Sequence, residues 1–310
     1  MKICADIGGS FITLALIGDD LAVRRRAVAP TPTLDWPAFV AVFADFIARE
    51  ANDLAADAAV CISAAGLVSP DQGVLTSANI PCVNGRPLAQ DLSAALRRPV
   101  FVVNDADAFA LAESALGVAR GHSRVFGLIL GTGVGGALIE DGRIVVGRNG
   151  VAGEWGHGPL ITASPRHPDA NPVFACGCGR TGCLDTVASA RGLERLHRFL
   201  HGQAATSRAI TAGLDAGDTA ASATVDYYCD LLAGPLAMLL NTFPATLVPV
   251  GGGLANAATL IARLDDRVRG NMLAPPPVPI LIRTALGGDA GLLGASLAVD
   301  RPPVRAGVLA

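Results

Sequence analysis

The sequence predicts an α/β protein of two domains, on three observations. A β-hairpin turned on glycines heads each half, at Gly8-Gly9 and again at Gly131-Thr132-Gly133. After each hairpin, apolar strands alternate with stretches of helical periodicity, the arrangement that covers a sheet with helices. The 310 residues are 51% hydrophobic and only 5% aromatic, so a large core must be filled by Ala, Val, Leu and Ile.

Lys2 to Ile7 and Phe11 to Ile17 read as strands, and Leu21 to Ala29 as a third after the Asp19-Asp20 turn. Pro30 and Pro32 break it, and Phe39, Phe43, Phe46 and Ile47 then recur at helical spacing. Ala58 to Ser63 is a short apolar strand, Leu88 to Leu96 a helix, Val100 to Val103 a strand and Ala106 to Leu116 a helix. The pattern restarts with strands at Val125 to Leu130 and Val134 to Ile139, then an Asp141-Gly142 hairpin turn into Arg143 to Val146. Helices are expected over Arg191 to His201, Thr206 to Leu214 and Thr219 to Phe243. In the last, Tyr228, Leu231, Leu232, Leu236, Leu239 and Leu240 make one apolar face. A strand, Leu247 to Val250, runs into Gly251-Gly252-Gly253; a helix, the strand Pro279 to Ile282 and a final helix follow. From Arg301 the chain reads as a loose tail.

Several function classes are set aside by composition. The charge-free stretch Val125 to Ile139 has 15 residues with five glycines, short of the roughly 18–20 a spanning helix needs. An acid, Asp6, interrupts the N-terminus before a signal-type apolar run forms, which predicts a cytoplasmic protein. The net charge of −3 offers no nucleic-acid surface, and Arg24-Arg25-Arg26 reads as a solvated strand edge. Cys4, Cys61, Cys82 and Cys229 lie among apolar or small residues, as reduced core thiols do.

Four motifs carry chemistry. Gly-Glu154-Trp-Gly-His157 is followed by Cys176-Gly-Cys178-Gly-Arg-Thr-Gly-Cys183-Leu-Asp185. One His and three Cys form the tetrahedral set of a structural zinc, with Glu154 and Asp185 flanking it. Asp6-Ile-Gly8-Gly9-Ser10 and Gly131-Thr132-Gly133 sit at equivalent turns, where glycines let backbone N–H groups approach phosphate. Gly131-x-Gly133-x-x-Gly136 also matches the dinucleotide fingerprint by letter, but a strand rather than a helix is expected after it. Asn104-Asp105 stands at the carboxyl end of a strand, where α/β folds bind ligands. Asp105 there reads equally as a helix N-cap, and Asn79 before Pro81 as a turn residue.

Taken together and in order, Asp-Ile-Gly-Gly-Ser, Val-Asn-Asp-Ala, Gly-Leu-Ile-Leu-Gly-Thr-Gly-Val-Gly-Gly, Gly-Glu-Trp-Gly-His and Cys-Gly-Cys-Gly-x-x-Gly-Cys resemble the ROK family of bacterial sugar kinases and repressors. The likeness runs closest to its N-acetylglucosamine kinases, through Gly66, Ser77 to Pro81, Gly85 to Leu88 and Asp91 to Ser93. The resemblance implies an actin-like ATPase (ribonuclease H-like) fold, two α/β domains with the active site in the cleft between them. It divides the chain into a small domain of 1–116 with about 289–310, and a large one of 117–288. Four departures stand out: Ser10 for Thr, Phe11 for Lys or Asn, Ala65 for Pro, and Asp185 for Glu.

The activity implied is ATP-dependent phosphorylation of the C6 hydroxyl of N-acetyl-D-glucosamine, with N-acetylmannosamine or glucose as alternative substrates. Asp105 would be the general base and Asn104 would orient the sugar, with Gly66, Asn79, Glu154, His157 and Asp185 completing its pocket. Asp6, Gly8, Gly9, Ser10, Gly131, Thr132 and Gly133 would serve the phosphates, and Gly252 and Gly253 the adenosine. His157, Cys176, Cys178 and Cys183 would hold a structural zinc, and magnesium would accompany ATP. A homodimer is implied. A sugar-sensing repressor of the same family is disfavoured, because its DNA-binding region would precede the first strand, which opens at residue 2.

Overall fold

The structure, a computed structural model, describes residues 1–77, 79–160 and 172–304. The chain divides into two compact units, Met1–Leu116 with Leu138–Ala152 and Leu286–Ala310, and Gly117–Ala137 with Gly153–Ala285. The expected division differs at 138–152, which joins the first unit. Val304 pairs with Val145 as a parallel bridge, its N–H donating to the Ile144 carbonyl at 2.7 Å, so this hairpin is tied to the end of the chain. The return of the chain falls at Leu286 rather than near 289, and the Leu286 N–H donates to Glu113 Oε1.

In the first unit the strands are β1 (Lys2–Ile7), β2 (Phe11–Ile17), β3 (Val23–Pro30), β4 (Val60–Ala64) and β8 (Val100–Asn104), ordered β3-β2-β1-β4-β8. Between β4 and β8, three strands of two or three residues, β5 (Leu67–Val68), β6 (Val74–Thr76) and β7 (Arg86–Pro87), form a separate small sheet. They are too short to leave a periodic trace in sequence. β1 is antiparallel to β2 and parallel to β4, and β4 is parallel to β8, with Ile7, Ala64 and Asn104 aligned in register. The carboxyl ends of three parallel strands therefore share one edge. Helix α1 (Trp36–Arg49) starts where the Asp35 side chain accepts the Ala38 N–H, with Pro37 in the first turn where its missing donor costs nothing. Its Phe39, Phe43 and Phe46 are buried against Ile3, Ile7, Ile12 and Leu14. Helices α2 (Leu88–Leu96) and α3 (Asp105–Ala115) complete the unit's helices before the chain crosses.

β3 begins two residues later than expected, because Leu21 takes a left-handed φ of 60° and finishes the turn begun at Gly18. Its three arginines are exposed and pair with Asp20, Glu50 and Asp289, as a solvated edge should.

In the second sheet, β9 (Arg124–Leu130), β10 (Val134–Glu140), β11 (Arg143–Val145), β12 (Val248–Gly251) and β13 (Leu281–Arg283) run in the order β11-β10-β9-β12-β13. β12 is parallel to β9 and β13. Then α4 (Asp185–Ala188), α5 (Ala190–His201), α6 (Ser207–Asp215), α7 (Thr219–Thr242) and α8 (Ala258–Asn271) belong to the second unit, and α9 (Ala290–Ala298) returns to the first. In α7 the expected face is buried at Tyr228, Leu231, Leu232, Leu236 and Leu240, and the Tyr228 hydroxyl donates to the Ala188 carbonyl at 2.7 Å. The tail expected from Arg301 is anchored as far as Val304; 305–310 lie outside the described residues. Among the described residues no helix is long and apolar enough to cross a membrane.

Two imidazoles share one hydroxyl in the second unit. His197 Nδ1 and His201 Nε2 lie 2.8 and 3.1 Å from Thr224 Oγ1, which itself donates to the Ala220 carbonyl. Both rings must therefore donate to it. Burial, and then the neighbouring His201, push the His197 pKa below its usual 6.5, with Asp218 opposing. A depressed histidine pKa means the fold favours the neutral ring, so its stability is intact above 6.5 and is lost as pH falls below that toward the folded value. Melting temperature should drop between pH of about 7.5 and about 5.5, and His197→Gln should shrink that drop. An equal drop in both proteins would remove His197 from the account.

Candidate active site

At the shared edge of the first unit, β1 ends in the Gly8-Gly9-Ser10 turn. The Gly8 N–H donates to the Phe11 carbonyl, Thr31 Oγ1 donates to the Gly8 carbonyl at 2.7 Å, and the Thr31 N–H donates to the Ser10 carbonyl. Thr31 thus occupies carbonyls of the turn from one side. Gly9 and Ser10 are exposed. Asp6, one strand position before the turn, accepts the Ser63 hydroxyl at 2.7 Å. Burial pushes its carboxyl pKa up, against the Ser63 bond and the charge of Arg26.

β8 delivers Asn104 and Asp105 to the same edge. Asn104, not Asp105, is the N-cap of α3: its Oδ1 accepts the N–H groups of Ala106 and Asp107 at 2.8 and 3.1 Å. The reason is position, since Asn104 keeps extended backbone while Asp105 already lies in the helix. Asn104 Nδ2 donates to the Gly66 carbonyl at 2.8 Å, which leaves one amide hydrogen for a ligand. Asp105 is half-buried, with Oδ1 accepting the Ala106 N–H. Asn79 lies against the Gly8-Gly9-Ser10 turn, its Cβ 3.1 Å from the position a Cβ would take on Gly9. Asn84 Oδ1 accepts the Ser77 N–H and so holds the turn that carries Asn79. Neither Asn84 nor Thr31 was expected from sequence, although Asn84-Gly85 is a turn dipeptide.

The second unit repeats the arrangement. β9 and β12 are parallel, and their carboxyl ends bring Gly131-Thr132-Gly133 beside Gly252-Gly253. Gly252 has φ 84°, and a Cβ there would stand 2.4 Å from the Leu130 carbonyl oxygen, so no other residue fits this approach. Gly136, the third glycine of the dinucleotide-like pattern, lies within a strand and serves packing instead. A Cβ on it would meet the Gly153 oxygen and Trp155 Cδ1 at 2.6 Å. The Gly-Glu-Trp-Gly-His loop rests there, with Trp155 edge-on to Phe126.

His157, Cys176, Cys178 and Cys183 converge, their ligand atoms all within 4.8 Å of one another. Cys176 Sγ is 3.7 Å from His157 Nδ1, and Cys178 Sγ is 3.6 Å from Cys183 Sγ. Tetrahedral ligands about 2.0–2.3 Å from a zinc lie roughly 3.5–3.8 Å apart, so the donor set fits a metal. All seven cysteines are unbridged. The Cys178 thiol is drawn down to about 6, first by a backbone bond at Arg180, while burial first raises Cys183 to about 12. His157 Nε2 points to Glu154 Oε2 at 3.8 Å, so in the structure the second ring nitrogen faces a carboxylate. Burial raises the Glu154 pKa, with His157 opposing and Asp185 reinforcing. Asp185 was expected in the sugar pocket; its Oδ1 accepts the Val134 N–H at 2.8 Å, next to the Gly131 turn. Residues 161–171 of the intervening loop lie outside the described residues.

The model of the ROK family matches residues 2–301. The chain is 37% identical over 293 residues to the N-acetylgalactosamine kinase AgaK of Shewanella sp. strain ANA-3, covering 94% of each. It is 36% identical to the N-acetyl-D-glucosamine kinase of Escherichia coli O9:H4, over 94% of this chain and 96% of that one. Among solved structures, the ROK hexokinase from Thermus thermophilus superposes with a TM-score of 0.79 at 32% identity, over 96% of this chain and 99% of that one. The ROK family glucokinase from Streptomyces griseus, in complex with glucose and AMPPNP, gives 0.78 at 27%, with the same coverage.

Proposed function

The chain belongs to the ROK family and has its actin-like ATPase fold, and on that premise we propose that it phosphorylates the C6 hydroxyl of an N-acetylhexosamine with ATP, N-acetyl-D-glucosamine first. The observation that carries the reading is the register of β1, β4 and β8. It aligns the Gly8-Gly9 turn, Gly66 and the Asn104-Asp105 corner on one sheet edge. Asp105 accepts the proton of the sugar hydroxyl as that oxygen attacks the γ-phosphorus. Asn104 and Asn79 orient the sugar beside Gly66, and the family resemblance adds Glu154, His157 and Asp185 to its ligands.

Gly8, Gly9 and Ser10, and Gly131, Thr132 and Gly133, bind phosphate oxygens through N–H and O–H donors. Gly252 and Gly253 lie against the adenosine. Asp6 is the hard oxygen donor that would hold magnesium, which would supply charge neutralisation to the phosphates of ATP. His157, Cys176, Cys178 and Cys183 would hold a structural zinc that ties the loop together, one His and three Cys being a closed ligand set. The protein acts in the cytoplasm as a homodimer, without nucleic acid or membrane.

The acetamido group is common to the names of both relatives, and their sugars differ only at C4, which brings N-acetylgalactosamine in as the second substrate. A coupled assay for ADP across N-acetylglucosamine, N-acetylgalactosamine, N-acetylmannosamine and glucose tests this. The highest kcat/KM is expected on N-acetylglucosamine. Glucose as the best substrate, with no turnover of acetamido sugars, would overturn the assignment.

A further inference from the structure

We infer that Asp185 is a positioning residue that couples the metal loop to the phosphate turn of the second unit, so that the metal supports nucleotide binding as well as the sugar. Three hydrogen bonds and one close approach draw the connection. Asp185 Oδ1 accepts the Val134 N–H at 2.8 Å, fixing the residue that closes the Gly131-Thr132-Gly133 turn. A Cβ on Gly133 would stand only 3.3 Å from that same oxygen, so the carboxylate lies directly on the turn. The Asp185 N–H donates to the Gly156 carbonyl at 2.9 Å and the Leu184 N–H to the Gly158 carbonyl at 3.2 Å. Those two carbonyls flank His157.

The other end of the turn is held from the same segment. Ser189 Oγ donates to the Asp185 carbonyl at 2.9 Å and accepts the Gly192 N–H, which caps α5. The first residue of that helix, Ala190, donates its N–H to the Gly131 carbonyl at 2.8 Å. The two ends of the phosphate turn, Gly131 and Val134, are thus both tied to a stretch that begins two residues after Cys183. A bound metal fixes His157 against Cys183, and that fixes Asp185. Loss of the metal releases Asp185 and with it the amides that must face phosphate.

The inference rests on the kinase reading, and its test separates the two. Binding of a fluorescent ATP analogue is measured without sugar for the wild type, Asp185→Asn and Asp185→Ala, each with its metal content. Asp185→Ala should bind the analogue about tenfold more weakly or worse, the size of one hydrogen bond to a charged group. Asp185→Asn keeps an oxygen able to accept the Val134 N–H and should stay within about twofold of wild type. Its sugar KM should rise all the same; the loss of nucleotide affinity in Asp185→Ala, spared in Asp185→Asn, is what a role confined to the sugar would not give. Wild-type nucleotide affinity in Asp185→Ala would overturn the coupling and leave the kinase reading intact. A wild type that binds no nucleotide would sink the kinase reading instead.

Should Asp185→Ala fail to fold, the wild type itself decides. Amide exchange in 131–134, followed by mass spectrometry, should speed up at least about tenfold when a chelator strips the metal. Unchanged exchange would overturn the inference.

Discussion

Asp105→Asn is expected to lower kcat by roughly 10²–10⁴-fold, the contribution typical of a positioned general base, with little change in the KM for sugar. The substitution keeps the shape of the side chain and one oxygen to accept the Ala106 N–H. It removes only the ability to take a proton. Its effect on the fold should be slight, because the start of α3 is held by Asn104, whose Oδ1 accepts two N–H groups of the first turn. That division of labour makes the pair informative. Asn104→Ala deletes the cap, at a cost of about 1 kcal/mol, and also frees the Gly66 carbonyl, so it should lower Tm and raise the sugar KM. Asp105→Asn should do neither. Near-normal turnover in Asp105→Asn, with the melting curve of the wild type, would take the base away from this residue.

The same corner shows how far sequence reasoning reached. Asn104 and Asp105 were legible as a strand-end pair, but which of them caps the helix was not, because that depends on where the helix takes its first helical φ and ψ. Long elements were legible for the reason that periodicity is: α2 is bounded as expected, and α7 within one residue. The small sheet β5-β6-β7 was not, since runs of two or three residues carry no period. Cysteine spacing brought out the cluster of His157, Cys176, Cys178 and Cys183 that converges in the structure, because thiols separated by one and four residues have few other uses. What spacing cannot give is where the flanking carboxylates point. Glu154 meets His157 Nε2, and Asp185 meets the Val134 N–H, contacts made through backbone that returns from elsewhere in the chain. The assignment of 138–152 to the first unit was equally hidden. It depends on Val145 meeting Val304, a pairing across more than half the chain.

Cys178→Ser should lose the metal, and with it the affinity for sugar and, through Asp185, for nucleotide. Cys178 is the member of the cluster best suited to the experiment. It is exposed and flanked by exposed glycines, so serine there disturbs no core packing. Cys183, by contrast, is fully buried, and its replacement would mix the loss of a ligand with the loss of packing. The thiol of Cys178 is drawn toward the thiolate, first by a backbone bond at Arg180, and serine offers neither that charge nor a soft donor. Three ligands remain, and a structural site in small domains typically contributes about 10–16 kcal/mol on binding, so the loss falls on the order of the loop and not only on its metal content. Metal per chain should fall well below one by elemental analysis. Sugar affinity should drop at least as far as nucleotide affinity, because Glu154 and His157 belong to the same loop while the first-unit turn at Gly8-Gly9-Ser10 does not. One metal per chain in Cys178→Ser, or full activity without metal, would refute the structural role of the cluster.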